Sequence, residues 1–474
     1  MAASAVASAV TSRTQSPDPG GASQNDPAAD PRRMRRIIAE DPNWNLSSVP
    51  PLLQLCFNAL VTTFESEHSE GGRYHKEPVL SQLSPEFQER LVSNLPIDLP
   101  LPLTAGIEHD AYWKRKVQAV ERWRPCVVAE HGAIWKRMFF ERLLREKLEA
   151  VAPEREDEEM GKAGGILELA QMAAPYVKVL DLHQMLPPDD GEPEEPVLLP
   201  PEDDFEAEVG AYDGGDDDGG APTDHIDLIP VLRALKVSDL RVCYTVKNCG
   251  MKFKWSMFGM TSGDCTTLMR GIRDYVPSLT SLSLHGSLIG DAKARMMCKY
   301  LLGNKSLTRL DLSHNAISDA GARAIAKLVN NSVLEEVDLR DNKIAAAGAK
   351  QLGRALRGNT TLHSLNVRLN RFKDGGGRDF FRGICGNTTL RELNVSCNSL
   401  GTDTAEVLCQ YVDRNPSLGL LDISCNELGE QAGRLLLEAL AGNTVLKGID
   451  LRLCHFDKDT EFQINVILKC NAKR

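Results

Sequence analysis

From about residue 279 to residue 456 the hydrophobic positions recur with one spacing. Aligned on Asn315, the chain reads Leu307-x-x-Leu310-x-Leu312-x-x-Asn315-x-Ile317. The same order returns at Leu334, Val337, Leu339, Asn342 and Ile344, and again at Leu362, Leu365, Val367, Asn370 and Phe372. Two more copies follow, one at Leu390, Leu393, Val395, Asn398 and Leu400 and one at Leu418, Leu421, Ile423, Asn426 and Leu428. Weaker copies flank these, with Ser287 and Cys454 at the asparagine place. The anchor positions 287, 315, 342, 370, 398, 426 and 454 lie 27 or 28 apart, which marks a stacked repeat architecture.

Each residue type follows from what one coil of such a stack must do. The alternating Leu-x-Leu is a short strand that buries one face, and strands of successive coils pair as a parallel sheet about 4.8 Å apart. The asparagine turns the chain out of the strand, and its amide can satisfy backbone groups of the coils on either side. An amphipathic helix returns the chain, as with Ala322, Ile325, Ala326 and Val329. Helices pack at roughly 8–10 Å, wider than strands, so the stack curves with its strands inside. Gly303-Asn304, Gly358-Asn359, Gly386-Asn387 and Gly442-Asn443 close the helices, and both residue types tolerate a left-handed helix exit. The predicted fold is α/β: a leucine-rich-repeat solenoid, a ribonuclease-inhibitor-like horseshoe.

A small, mostly α-helical domain precedes it. The pattern predicts a disordered tail over residues 1–31, a helical domain over 32–186, an acidic disordered linker over 187–224 and the repeat domain with terminal caps over 225–474. Leu52, Leu53, Leu55, Phe57, Leu60 and Val61 read as a buried helix. Ser84-Pro85-Glu86 reads as a helix start with a capping hydroxyl and proline at the first position. Ile226, Leu228, Ile229, Leu232 and Leu235 predict a capping helix, and Val237, Leu240 and Val242 an irregular first strand. Phe462, Ile464, Val466, Ile467 and Leu468 predict the opposite cap.

Charge sharpens the partition. The chain carries a formal net charge of −11, yet residues 189–224 alone hold fifteen Asp or Glu and no Lys or Arg. That segment reads as a self-repelling tether between two folded parts. Arg32, Arg33, Arg35 and Arg36 form a basic cluster that fits an acidic polymer surface such as a microtubule, a nuclear signal or simply a solvated helix start. Trp113, Trp123, Trp135 and Phe139 alternate with cations; this is the composition of an interface hot spot and equally of a small helical core. No large basic patch with interleaved aromatics argues for nucleic acid, and no apolar run approaches the roughly 20 residues of a membrane span.

The twelve cysteines form no Cys-x-x-Cys pair and no zinc spacing, so neither a disulfide framework nor a metal site is expected, and the compartment reads as cytosolic. Cys397 and Cys425, equivalent on adjacent coils, read as small buried thiols. No phosphate loop, nucleophile elbow, zinc-protease helix or dinucleotide fingerprint is present. No enzyme and no cofactor are expected. Binding falls to the outward strand positions: Arg309, Asp311, Glu336, Asp338, Arg340, Asn366, Arg368, Glu392, Asn394, Asp422, Asp450 and Arg452, a polar surface of mixed charge.

Several motifs together carry a resemblance. The basic entry at 32–42, Trp135-Lys136-Arg137-Met138-Phe139-Phe140-Glu141-Arg142, Val246-Lys247-Asn248-Cys249-Gly250-Met251 and the repeats look like the family of the leucine-rich-repeat subunit, subunit 5, of the nexin–dynein regulatory complex. The likeness covers roughly residues 32–150 and 224–470. It implies a non-enzymatic structural and regulatory subunit in the axoneme of motile cilia and flagella. The implied partners are other subunits of the complex, doublet microtubules and inner-arm dyneins, and the implied location is the cytoplasmic cytoskeleton. Two other classes share the horseshoe: Ran-type GTPase-activating proteins, whose acidic segment follows the repeats rather than preceding them, and cytosolic inhibitor or actin-end scaffolds.

Overall fold

The computed structural model describes residues 52–67, 69–70, 73–74, 83–162, 164–187, 225–246 and 255–473. The expected tail, the basic cluster of Arg32, Arg33, Arg35 and Arg36, and the acidic segment lie outside the described residues. The chain divides into two compact units, Met1–Cys126 and Val127–Arg474.

In the first unit, helix α1 (Leu52–Glu67) is followed by strands β1 (Ser69–Glu70) and β2 (Arg73–Tyr74), which pair antiparallel. Helices α2 (Pro85–Asn94), α3 (Leu101–Thr104) and α4 (Asp110–Gln118) complete it. Helix α2 begins at Pro85 as expected, but the Ser84 hydroxyl makes no capping bond. Its last carbonyls are met from α4 instead: Arg115 donates to Val92 O at 2.9 Å and to Leu95 O at 2.8 Å. Leu91, Val92, Tyr112, Trp113, Val117 and Trp123 form the core, and the buried Trp113 indole donates to Ile107 O at 2.8 Å, which spares it an unmet donor.

The second unit opens with helices α5 (Trp135–Glu149), α6 (Glu156–Gly161) and α7 (Ile166–Ala173), then strand β3 (Val179–Leu182). Helix α8 (Ile229–Ala234) and β4 (Asp239–Val242) follow. Seven further helix–strand coils come next: α9 (Ser262–Tyr275) and β5 (Ser281–Ser283), α10 (Asp291–Leu301) and β6 (Arg309–Asp311), α11 (Asp319–Asn330) and β7 (Glu336–Asp338), α12 (Ala346–Leu356) and β8 (Ser364–Asn366). The last three are α13 (Lys373–Ile384) and β9 (Glu392–Asn394), α14 (Thr402–Arg414) and β10 (Leu420–Asp422), and α15 (Glu430–Gly442) and β11 (Gly448–Asp450), closed by α16 (Lys458–Ala472). Strands β3 to β11 form one parallel nine-stranded sheet in sequence order. Their central residues, Leu180, Leu240, Leu282, Leu310, Val337, Leu365, Leu393, Leu421 and Ile449, stand in register and face the helices.

This corrects the expected partition. Residues 127–186, read as part of a separate helical domain, belong to the repeat unit: Leu180 pairs with Leu240, and β3 extends the sheet by a coil. The acidic segment therefore leaves and re-enters one unit, between β3 and α8, rather than joining two. The cap is correspondingly earlier. Glu141 on α5, buried, accepts from Lys178 N and Val179 N, each at 2.9 Å, and Glu149 accepts from His183 N at 2.8 Å. Two carboxylates thus meet the donors of the edge strand, the groups an uncovered edge would offer to another chain. His131 pairs with Glu141 at 2.6 Å.

The asparagines act as expected, but toward one side only. Asn315 donates to Leu312 O of its own coil and Leu284 O of the coil before, and accepts from Ser287 N and Ile289 N. Asn342, Asn370 and Asn426 repeat this. Asn398 is the exception: Phe372 is already helical, Lys373 N goes to Asn398 O, and the Asn398 Oδ1 is left without a partner. A second asparagine row, at the helix exits, is also structural. Asn387 accepts from Thr389 N and Leu390 N and donates to Leu356 O and Asn359 O. Only Gly303 and Gly386 of the exit glycines are left-handed, so the buried amide rather than the backbone hand defines this turn. At the far end Ile464 and Leu468 are buried in the cap, whereas Phe462 and Val466 are exposed.

Candidate functional site

The sheet face opposite the helices carries the predicted binding residues. Each strand presents two outward side chains, so nine strands in register build two columns, with a third just beyond the strand ends. The first column runs Asp239, Ser281, Arg309, Glu336, Ser364, Glu392, Leu420 and Gly448 from β4 to β11; the second runs Asp181, Arg241, Ser283, Asp311, Asp338, Asn366, Asn394, Asp422 and Asp450 from β3. Two residues beyond the second column lie Arg340, Arg368 and Arg452.

The twelve predicted residues share this face but not one role. Every Asp or Asn of the second column from β6 on accepts the backbone N–H two residues later. Asp311 takes Ser313 N, Asp338 takes Arg340 N, and Asn366 takes Arg368 N. Asn394, Asp422 and Asp450 do the same for Ser396, Ser424 and Arg452. Side chains also bind across coils: Ser283 donates to Asp311 at 2.9 Å, Asn366 to Asp338 at 3.1 Å and Asn394 to Asp422 at 2.9 Å. The column is therefore first a device that turns the chain after each strand. Arg309, Glu336, Arg368, Glu392 and Arg452 are exposed and present their charges to solvent. Leu420, 50% exposed between Glu392 and Gly448, adds an apolar contact. The sequence held that signal, since Leu420 occupies an outward place in Leu418-Gly-Leu-Leu-Asp, but the polar reading of the face passed over it.

The carboxyl groups differ along the face. Burial lifts the Asp338 carboxyl above its usual range against the pull of the Arg340 N–H and charge, and Asp311 adds to the rise. Asp450 is held below that range by Arg452, whose guanidinium lies 2.5 Å away. At the other end burial would raise Asp181, but His183, Arg241 and Arg145 outweigh it and hold the group low. The arginines at 241, 309, 340 and 368 share the coils of β4 to β8 with Asp239, Asp311, Glu336 and Asp338, and the last three coils carry Glu392, Asp422, Asp450 and Arg452, so charge is mixed along the whole face. Two shallow concavities lie on the face. One of about 570 Å³ is lined by Asp181, Arg241, Arg309, Asp311, Glu336, Asp338 and Arg340, and one of about 490 Å³ by Glu392, Leu420, Asp422, Ile449 and Asp450.

The aromatic anchor reading is corrected. Trp113, Trp123 and Phe139 are buried and Trp135 half-buried, so the core reading holds for these side chains. Phe140 stacks on Tyr176 at 5.3 Å, and Lys136 sits over the same ring at 3.9 Å. Phe140, Tyr176 and Lys136 hold α5 in place, and little aromatic surface is left for a partner. Among the described residues no cluster of His, Cys, Asp or Glu could hold a metal ion, and no helix is long and apolar enough to cross a membrane.

Comparison with known proteins agrees with this architecture. A leucine-rich-repeat family model matches residues 303–326, 330–353, 358–381 and 386–409. The chain is 37% identical over 354 residues to dynein regulatory complex subunit 5 of Macaca fascicularis, covering 74% of this chain and 64% of that protein. It is 38% identical over 315 residues to the Homo sapiens protein of the same name, covering 66% and 57%. To the Chlamydomonas reinhardtii one it is 31% identical over 251 residues, covering 52% and 50%. The chain thus spans between half and just under two thirds of the length of these relatives. The chain is a leucine-rich-repeat protein related in sequence to dynein regulatory complex subunit 5.

Proposed function

We propose that this chain is a non-enzymatic, protein-binding subunit of a dynein regulatory complex in the axoneme of motile cilia and flagella. In this reading it helps link doublet microtubules and relays control to the dyneins that drive bending. The observation that carries the proposal is the relatedness to dynein regulatory complex subunit 5 in mammals and in an alga. The sheet face supports it: nine in-register strands form a rigid surface on which charges are placed by the fold rather than by flexible loops. A pre-set surface binds at low entropic cost, since few side chains need ordering. The repeat unit docks other subunits of the complex through the exposed Arg309, Glu336, Arg368, Glu392, Leu420 and Arg452, and the second column holds them in register. The first unit and the basic cluster at Arg32–Arg36 supply further attachment, to neighbouring subunits or to the microtubule surface.

The test uses the full chain, tagged and expressed in ciliated cells. Axonemes are isolated and extracted with detergent and then with salt. Retention of the protein with the axoneme through both steps is expected. Its release with the soluble fraction at the detergent step would refute an axonemal role.

A further inference from the structure

Two thiols stand side by side on the rim of the sheet face. Cys397 and Cys425 each precede a repeat asparagine, Asn398 and Asn426, and so hold the same register on consecutive coils. Both lie in the left-handed region with φ of 55°. Cys397 N donates to Ser424 O at 3.0 Å, and one coil on Cys425 N donates to Arg452 O at 2.8 Å. This ladder keeps neighbours at strand spacing, about 4.8 Å, inside the roughly 4.4–6.8 Å Cα separation that a disulfide spans. The expectation of small buried thiols is corrected: Cys425 is exposed and Cys397 half-buried, whereas Cys243, Cys265, Cys298, Cys409 and Cys454 are buried.

We propose that Cys397 and Cys425 form a reversible dithiol–disulfide site on the rim of the interaction face, oxidised by hydrogen peroxide. The exposed Cys425, as thiolate, attacks one peroxide oxygen. An S–O bond forms, the O–O bond breaks, and the departing hydroxide takes a proton to become water. The Cys397 sulfur then attacks the Cys425 sulfenic sulfur. The S–S bond forms, the S–O bond breaks, and the second water leaves with the Cys397 proton. Two thiols are oxidised and one peroxide is reduced to two waters.

The surroundings fit these roles. Burial and the adjacent Cys425 push the Cys397 thiol above its ordinary pKa, against the pull of Arg368, so the first attack on peroxide falls to Cys425 and Cys397 gives up its proton only as it closes the bridge. Cys425 is the accessible member, as the attacking thiol must be. In-register side chains on stacked coils point the same way, so their Cβ atoms follow the coil spacing of about 4.8 Å, just beyond the roughly 3.5–4.5 Å usual for a bridge. A bridge formed there is strained and readily reduced, which is the property of a regulatory rather than a structural disulfide. It would tie the coils of β9 and β10 together between Arg368 and Arg452, changing the rim where a partner would seat.

The experiment exposes the purified, fully reduced chain to hydrogen peroxide, blocks free thiols with an alkylating agent and digests with trypsin. Peptide Glu392–Arg414 joined to Asn415–Arg434, lost on reduction with dithiothreitol, is the expected product. Fragmentation of the joined peptide should place the bridge at Cys397 rather than Cys409, which needs no variant and no assumption about folding. The product should disappear in Cys397→Ser and in Cys425→Ser and persist in Cys409→Ala. Oxidation of Cys425 to sulfinic or sulfonic acid without a joined peptide, or a bridge that maps to Cys409, would overturn the proposal.

Discussion

Glu141 ties α5 to the first strand of the solenoid. Its carboxylate accepts from Lys178 N and Val179 N at 2.9 Å and from Arg137 Nε at 2.8 Å, and it pairs with His131. Glu141→Ala leaves the two edge amides of β3 without an acceptor. Each orphaned buried donor costs about 1–3 kcal/mol. Arg137 is partly exposed and recovers water, so the expected loss is about 3–5 kcal/mol, the range for removing one partner of a buried pair. Glu141→Gln keeps an oxygen for the two amides and should lose about half as much. Since repeat stacks open locally, the loss should appear first in the β3 coil. The assay is denaturant unfolding of the full chain with hydrogen exchange read at Lys178 and Val179. Burial alone would raise the Glu141 pKa, but His131, the two amides and Arg137 outweigh it and hold it below its ordinary 4.5. With the folded pKa the lower one, the unfolded chain binds the proton first as pH falls. The contribution is therefore full above the ordinary carboxylate pKa and is lost as pH falls through the folded value. Glu141→Gln should flatten that part of the acid limb. A Glu141→Ala shift no larger than that of the exposed Glu438→Ala, with unchanged exchange at residues 178 and 179, would refute the capping role.

Other perturbations follow from the same packing. A Cβ on Gly383 would lie 2.5 Å from the Gly353 carbonyl carbon, so Gly383→Ala should force α12 and α13 apart and cost about 1–3 kcal/mol in urea unfolding, while Gly358→Ala, with open space around it, should change little. Asn387→Ala removes the acceptor of Thr389 N and Leu390 N and should cost about 2–4 kcal/mol; Thr388→Ala, on the exposed side of the same turn, serves as the neutral reference. Leu453 is 72% exposed with φ of 58°, a conformation that costs a bulky residue about 1–2 kcal/mol, so Leu453→Asn should raise the melting temperature; a fall would show that the leucine packs in a way its exposure hides.

The repeat leucines and first asparagine row were legible because each is dictated by one coil and its neighbour, at a fixed spacing. The coil of β3 was not. Val179-Leu180-Asp181-Leu182 is four residues long, and Met185 stands where an asparagine would mark the turn. Nothing local distinguishes that strand from the end of a helix; only pairing with Leu240 does. The previous-coil helix caps escaped for a similar reason. Asp291 accepts from Ser318 N and Gly321 N, and Asp319 from Ala345 N and Gly348 N, so the partners lie in the next coil rather than on the residue's own helix. Outward positions of the sheet face followed from the period of two. That Asp311, Asp338 and Asp422 are engaged by backbone amides did not, because a strand pattern carries no information on the turn that follows it. The tryptophans were ambiguous in sequence for a plain reason: the side chains that fill a small core are those that fill an interface.

The most direct measurement of the central claim is partner recovery from axonemes carrying the full chain with Arg309→Glu and Arg368→Glu. Both side chains are exposed on the sheet face, and neither is among the carboxylates and amides that hold the turns. Arg323→Glu with Arg354→Glu, exposed on the helical side, makes the same charge change as a control. If the sheet face docks the complex, the first variant should fold normally yet lose axonemal retention and co-purifying complex subunits, while the second keeps both. Equal retention of the two variants would contradict the account.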